Sequence, residues 1–159
     1  MTVDTRIRVR YKETDQMGVV HHSNYYVWFE VARTEYLRKQ GISYSEMEKR
    51  GIMLPLTETH CKYLQGAKYD DIVIVRTYMS RFSGARITME YDVIREMDDC
   101  LLAKGKTVHA ITDNNLKPIN IRKVDPKLYE LFLRCVNKDW TNNETNNFIS
   151  LFKNKIAKE

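Results

Sequence analysis

The chain has 159 residues, 43% of them hydrophobic and 30% charged, with a formal charge of +5, which is enough for one domain with its own core and too apolar for a disordered chain. No apolar run approaches the ~20 residues of a spanning helix, residues 1–10 are too polar for a secretory leader, and Cys61, Cys100 and Cys135 are too scattered for a disulfide framework, so a cytoplasmic protein is expected. The positive charge suits an anionic ligand, polyphosphate included.

From Thr5 to Tyr11 the chain alternates, with Ile7, Val9 and Tyr11 on one side and Arg6, Arg8 and Arg10 on the other, which predicts a half-buried strand. A loop over 12–22 follows. Ser23 or Asn24 is placed to cap a helix over 24–40 that Gly41 stops. The first half of that helix, Tyr25 to Ala32, is apolar nearly all the way round and predicts burial on most sides; the second half is charged and reaches solvent. Ser43 and Glu46 form a capping-box pattern for a short helix from Tyr44 to Arg50. Strands are expected over Leu54–Leu64, from Ile72 through Met79, from Ala85 to Val93, and over Leu101–Thr112 with Gly105 as a bulge. Asp125-Pro126 opens a last helix with an apolar stripe of Leu128, Leu131, Phe132, Cys135 and Val136. One domain over 1–136 is expected, with a frayed or weakly docked tail over 137–159. A buried helix placed before an antiparallel meander points to an α+β hot-dog fold, a curved antiparallel sheet wrapped around a long central helix.

The chain has no GxGxxG segment opening a helix, no GxxxxGK[ST] loop and no GxSxG elbow, so dinucleotide, nucleoside-triphosphatase and serine-hydrolase readings lose their usual marks. Asp15 with His21 and His22 resembles a metal set only loosely, because adjacent histidines are expected to point apart and a third ligand would have to come from a distant strand. The basic residues alternate with acids and no recognition module is legible, so no nucleic acid is expected as a partner.

The informative stretch is Asp15 to Tyr25. An aspartate just before a glycine can bond its own backbone in a turn. Here a helix N-terminus follows closely, and its free amides can polarise a carbonyl and stabilise an oxyanion. A carboxylate beside that point can act as nucleophile or activate a water. Together these are the minimum for hydrolysing an activated ester without serine or cysteine.

Tyr11 and Asp15-x-x-Gly18-x-Val20-x-His22-x-Asn24-Tyr25, followed by Phe29-Glu30-x-x-Arg33-x-Glu35, resemble the hallmark of hot-dog acyl-coenzyme A thioesterases, in the branch of the 4-hydroxybenzoyl-coenzyme A and YbgC-like enzymes. The likeness runs from about Thr5 to Glu130. It implies that Asp15 is the catalytic carboxylate and that His22 supplies an oxyanion-binding amide and a helper imidazole. Gly18 and Val19 belong to the loop that meets the substrate, and Tyr25 and Glu30 stand with the substrate-binding positions. Glu30 is also the reserve catalyst, or else a buried partner of Arg33 or Tyr11. Met17 is bulkier than its counterpart in relatives and would narrow the acyl pocket. The resemblance further implies a homodimer or tetramer with sites between subunits, an acyl-CoA substrate or an acyl carrier protein as donor, and no cofactor beyond the coenzyme A of the substrate. Arg81, Ser83 and Arg86, with Arg122, are placed by charge as candidates for the nucleotide phosphates.

Overall fold

The computed structural model describes residues 1–136; the expected tail lies outside them. Five strands, β1 (Thr2–Arg8), β2 (Leu56–Tyr63), β3 (Ile72–Phe82), β4 (Arg86–Arg95) and β5 (Cys100–Ala110), and four α-helices, α1 (Ser23–Lys39), α2 (Tyr44–Lys49), α3 (Ile121–Val124) and α4 (Pro126–Cys135), follow among the described residues. The order is as expected except that α3 is additional and that β1 ends at Arg8, so Tyr11, expected on the strand, lies in a 3-10 turn over Tyr11–Glu13. Local chemistry sets several boundaries as read. Ser43 accepts from the Glu46 amide at the start of α2, and Asp125 accepts from the Leu128 amide at the start of α4, which has proline in its first turn. The helix α1 starts one residue earlier than expected, with His22 in the capping position and no side-chain cap. The Asn24 side chain instead donates to the carbonyls of Glu13 and His21, so it fastens the preceding loop.

The strands form one sheet in the order β1-β3-β4-β5-β2, and every pairing is antiparallel. Only β3, β4 and β5 make a meander. β2 pairs with β5, not with its successor β3, so the segment 64–71 crosses back over the sheet. β1 and β2 are the two edges.

A sheet wrapped around a long central helix, as expected, is not what the structure has. The sheet is open, with β1 and β2 unpaired to each other. Helical residues are divided among several short helices, and α1, the longest at 17 residues, lies on one sheet face rather than inside a closed curl. Trp28, Phe29, Ala32 and Tyr36 are buried, whereas Tyr26, Val27 and Val31 remain 37%, 46% and 43% exposed. The all-round apolar sequence of the helix therefore does not mean all-round burial, because a single twisted sheet covers only one side of a helix.

Gly105 pairs in register with both Cys61 and Tyr91, so the expected bulge is absent there. The shift in the β4–β5 register falls instead between Val93 and Ile94. Gly105 is needed for another reason. Phe29 of α1 descends onto it, and a Cβ at 105 would sit 2.2 Å from the ring. The same ring stacks on Tyr91 with centroids 4.5 Å apart. This contact seats α1 on the sheet, and each fully buried ring of this size contributes roughly 1.5–3 kcal/mol.

Candidate active site

The segment between β1 and α1 is a tight noose. Thr14 and Val20 bridge its legs, the Asp15 amide donates to the Val19 carbonyl at 2.9 Å, and the Gly18 amide donates back to the Asp15 carbonyl at 2.9 Å. Gly18 takes φ +76°, a conformation that favours glycine, and faces open space. The Val20 amide donates to the Ala67 carbonyl, so the noose is tied to the segment that leaves β2. Gly66 in that segment lies so close to Val19 that a Cβ would come within 2.6 Å of its Cγ1.

Between noose and crossing segment opens a cleft of about 270 Å³, lined by Asp15, Met17, Val19, Val20, His22, Tyr25, Tyr63, Leu64, Gln65 and Gly66. Asp15 is half-buried. Its Oδ1 accepts from the Met17 amide at 2.8 Å, so the self-bonded turn aspartate is real. That bond orients the carboxylate, and the other oxygen has no hydrogen bond among the described residues. The His22 amide, at the N-terminus of α1, likewise has no hydrogen-bond partner among the described residues. The carbonyl of His22 accepts from the Tyr63 hydroxyl at 3.2 Å. The rings of His21 and His22 lie side by side, centroids 4.1 Å apart, and do not point apart as adjacent residues of an extended strand would. His22 already has helical backbone angles, which changes the geometry. No cluster of three or more metal-ligating side chains occurs among the described residues.

Tyr25 is 2% exposed and forms a wall of the cleft, its ring 5.1 Å from that of Tyr63 and 4.8 Å from that of Trp28. Met17, 81% exposed, stands at the cleft mouth. Glu30 does not line this cleft. It is exposed on the flank of α1, and Arg33 donates to the hydroxyls of Tyr44 at 2.7 Å and Tyr91 at 3.4 Å rather than to Glu30. Tyr11 is exposed, its ring edge-on to Tyr69.

Arg81, Ser83 and Arg86 come together with Lys106, Glu58 and Thr88 around a second cleft of about 530 Å³ at the end of the β3–β4 hairpin. Arg122 is set apart from it, with its guanidinium 5.7 Å from the ring centre of Tyr129.

Sequence reasoning missed two contributors. Tyr63 to Gly66, at and just after the end of β2, supply one side of the cleft, and nothing local marks them because they meet the noose about 40 residues away in sequence. Glu13 is the other. Its carboxylate is 1% exposed and accepts from the Arg10 amide at 2.7 Å, Arg10 Nη2 at 2.8 Å and Trp28 Nε1 at 3.2 Å. Burial pushes its pKa up, but the bonds from Arg10 and Trp28 outweigh that and hold it below the usual carboxylate range.

The sequence model of the thioesterase-like superfamily matches residues 9–132. The chain is 34% identical over 119 residues to the acyl-CoA thioesterase YbgC of Haemophilus influenzae, covering 74% of this chain and 86% of that protein. It is 36% identical over 121 residues to YneP of Bacillus subtilis, named a candidate acyl-CoA thioesterase, covering 76% and 87%. The crystal structure of the DHNA-CoA thioesterase of Staphylococcus aureus superposes with a TM-score of 0.80 at 35% identity, covering 91% of this chain and 95% of that one. The chain belongs to the thioesterase-like superfamily and is a thioester hydrolase of the hot-dog family, related to the YbgC and 4-hydroxybenzoyl-type enzymes.

Proposed function

We propose that the protein hydrolyses an acyl-coenzyme A thioester in the cleft at the N-terminus of α1, with Asp15 as the reacting carboxylate and the His22 amide as the oxyanion donor. The observation that carries this is the pair of unspent groups on one cleft: a carboxylate oxygen of Asp15 and the backbone N–H of His22, neither hydrogen-bonded among the described residues. The thioester carbonyl points its oxygen at the His22 N–H, where the helix dipole favours negative charge. Asp15 then takes a proton from water as the hydroxide adds to the carbonyl carbon, or adds to that carbon itself to form an acyl-aspartyl anhydride that water cleaves. In both routes the C–S bond breaks, the thiolate leaves and is protonated, and the acid is released. In the water route the proton that Asp15 took up passes to the departing thiolate, with the His22 imidazole as the relay in this reading. Tyr63 steadies the start of α1 by donating its hydroxyl to the His22 carbonyl. Arg81, Ser83 and Arg86 take the phosphates of the coenzyme, a role supported by their clustering around one cleft. Two copies pair through α1 and the β2 edge, supported by the exposed apolar side chains there.

The test is turnover of the parent, Asp15→Asn and Glu30→Gln against a panel of aliphatic and aromatic acyl-coenzyme A substrates, 1,4-dihydroxy-2-naphthoyl-coenzyme A and an acyl carrier protein thioester among them. Asp15→Asn keeps the turn bond and removes the charge, so turnover falls by about 100-fold or more while substrate still binds. Glu30→Gln, outside the cleft, stays near the parent. A folded Asp15→Asn protein at the parental rate rejects the assignment, and a dead Glu30→Gln protein transfers it to the helix flank.

A further inference from the structure

Glu13 is the most deeply buried carboxylate among the described residues, and the reaction just outlined does not use it. Burying a carboxylate is costly unless its lone pairs are met, and here three donors meet them. Two come from Arg10, just before the noose. The third is the indole of Trp28, itself 1% exposed, on the second turn of α1. The main chain of Glu13 does a second job. Its carbonyl accepts from the His21 amide at 2.9 Å and from the Asn24 side chain at 2.9 Å. One residue thus joins the incoming leg of the noose to its outgoing leg and to the body of α1. Asp15 lies two residues beyond this knot on one side, and His22 one residue beyond it on the other.

We propose that Glu13 is a positioning residue that fixes the noose against α1 so that the Asp15 carboxylate and the His22 amide face the same point in the cleft; this rests on the reading of Asp15 as the reacting carboxylate. The side chain anchors the incoming leg to the helix through Trp28. Without it, the leg carrying Asp15 is left with the bond from the Asn24 side chain to the Glu13 carbonyl as its tie to a helix that must stay in register with it. A misplacement of about 1 Å at a reacting group can lower a rate by about 100-fold while leaving substrate contacts nearly intact.

Three variants, Glu13→Ala, Glu13→Gln and Asp15→Asn, are compared by steady-state kinetics and by backbone amide hydrogen exchange on the intact protein. Glu13→Ala is expected to lower kcat by about 10- to 100-fold with KM within about threefold of the parent. Exchange at Asp15, Val20 and His21 rises by about tenfold or more, while the amides of β4 keep parental protection. Glu13→Gln, whose one amide oxygen can take the Oε1 place and accept from Trp28 and Arg10 Nη2 while its NH2 faces the Arg10 amide, is expected to recover part of kcat, to within about tenfold of the parent. A general loss of packing would raise exchange in β4 as well and would not be rescued in this way. If Glu13→Ala does not fold, Trp28→Phe, which removes the indole N–H together with part of the buried ring, is expected to give the same loop-restricted rise in exchange with a smaller loss of kcat. A folded Glu13→Ala enzyme with parental kcat overturns the proposal, and so does a lowered kcat with loop exchange unchanged. Full activity in Asp15→Asn overturns the parent reading and appears in that variant alone, so the two failures are told apart.

Discussion

Seven arginines, Arg6, Arg8, Arg10, Arg38, Arg50, Arg76 and Arg95, are each paired with a carboxylate. Most of these pairs are exposed and contribute little to stability. Arg81 and Arg86 are different, since neither has a carboxylate partner among the described residues, and both border the larger cleft with Lys106. Unpaired guanidinium groups are the right chemistry for phosphates, which they meet with paired N–H donors. Arg86→Ala is expected to raise KM for an acyl-coenzyme A by roughly tenfold, about the worth of one charge-assisted contact. It should leave KM unchanged for the same acyl group on N-acetylcysteamine, which has no phosphates. An equal effect on both thioesters would place the arginine in acyl recognition or in folding instead. At the same scale, the turn role of Asp15 uses one carboxylate oxygen and leaves the other for the chemistry proposed for it.

Among the elements, α1, β4 and β5 are joined by a buried polar chain. Arg33 donates to Tyr91, the Tyr91 hydroxyl meets Thr107 at 2.9 Å, Thr107 meets His109 Nε2 at 3.1 Å, and His109 Nδ1 lies 3.1 Å from the Leu54 carbonyl. A carbonyl only accepts, so Nδ1 carries the proton and Nε2 accepts from Thr107, which makes His109 neutral. Burial, and then the charge of Arg33, push the His109 pKa down to about 4. Protonation therefore favours the unfolded chain, whose histidine titrates near 6.5. The contribution is intact above pH ~6.5 and is lost as pH falls towards 4, amounting to about 3 kcal/mol in all. Glu13, with its pKa held low, adds its own loss only in the more acid range, below the carboxylate value of the unfolded chain. Urea unfolding of the parent at pH 7, 5.5 and 4 should show this fall. His109→Gln is expected to be less stable at pH 7 and to have a flatter profile between pH 6.5 and 4. An unchanged slope would assign the acid sensitivity to other groups.

For the whole molecule, the open β2 edge of the sheet and the bare flank of α1 meet where the side chains of Tyr63 and Tyr26 interact. Tyr26, Val27 and Val31 on the helix, with Leu56, Tyr63 and Leu64 on and after β2, are exposed apolar side chains. An edge strand with free backbone groups beside apolar side chains is a surface that pairs with another sheet unless it is protected. A second copy related by a two-fold axis would cover both at once. It would also bring more of the chain to the active cleft, since Tyr63 and Leu64 belong both to the cleft lining and to this patch. Val31→Glu puts a charge at the centre of such a contact, on a side chain 43% exposed in the single chain. Sedimentation at micromolar concentration should show a dimer for the parent and a shift to monomer for the variant, with turnover reduced alongside. A parent that sediments as a monomer at full activity rejects the pairing.

The motif from Asp15 to Tyr25 was legible because its chemistry is local: a carboxylate, a glycine turn and a helix start lie within one short stretch, and each has its own sequence signal. Strand and helix spans were legible for the same reason, since alternation, caps and Asp125-Pro126 act over a few residues. The enclosure of α1 was misread because apolar residues all round a helix do not reveal which side a sheet covers and which side is left to another surface. Gly105 looked like a bulge and proved to be a seat for Phe29, a contact between residues 76 positions apart in sequence. Glu13 carries no mark in the sequence, for nothing beside it announces the indole of Trp28. The sequence by itself determined most of the elements, the family and the glycine turn before α1, because these rest on periodicity and short motifs. Tertiary structure alone decided the pairing of β2 with β5, the second wall of the cleft and the burial of Glu13, because each depends on which distant surfaces meet when the chain closes on itself.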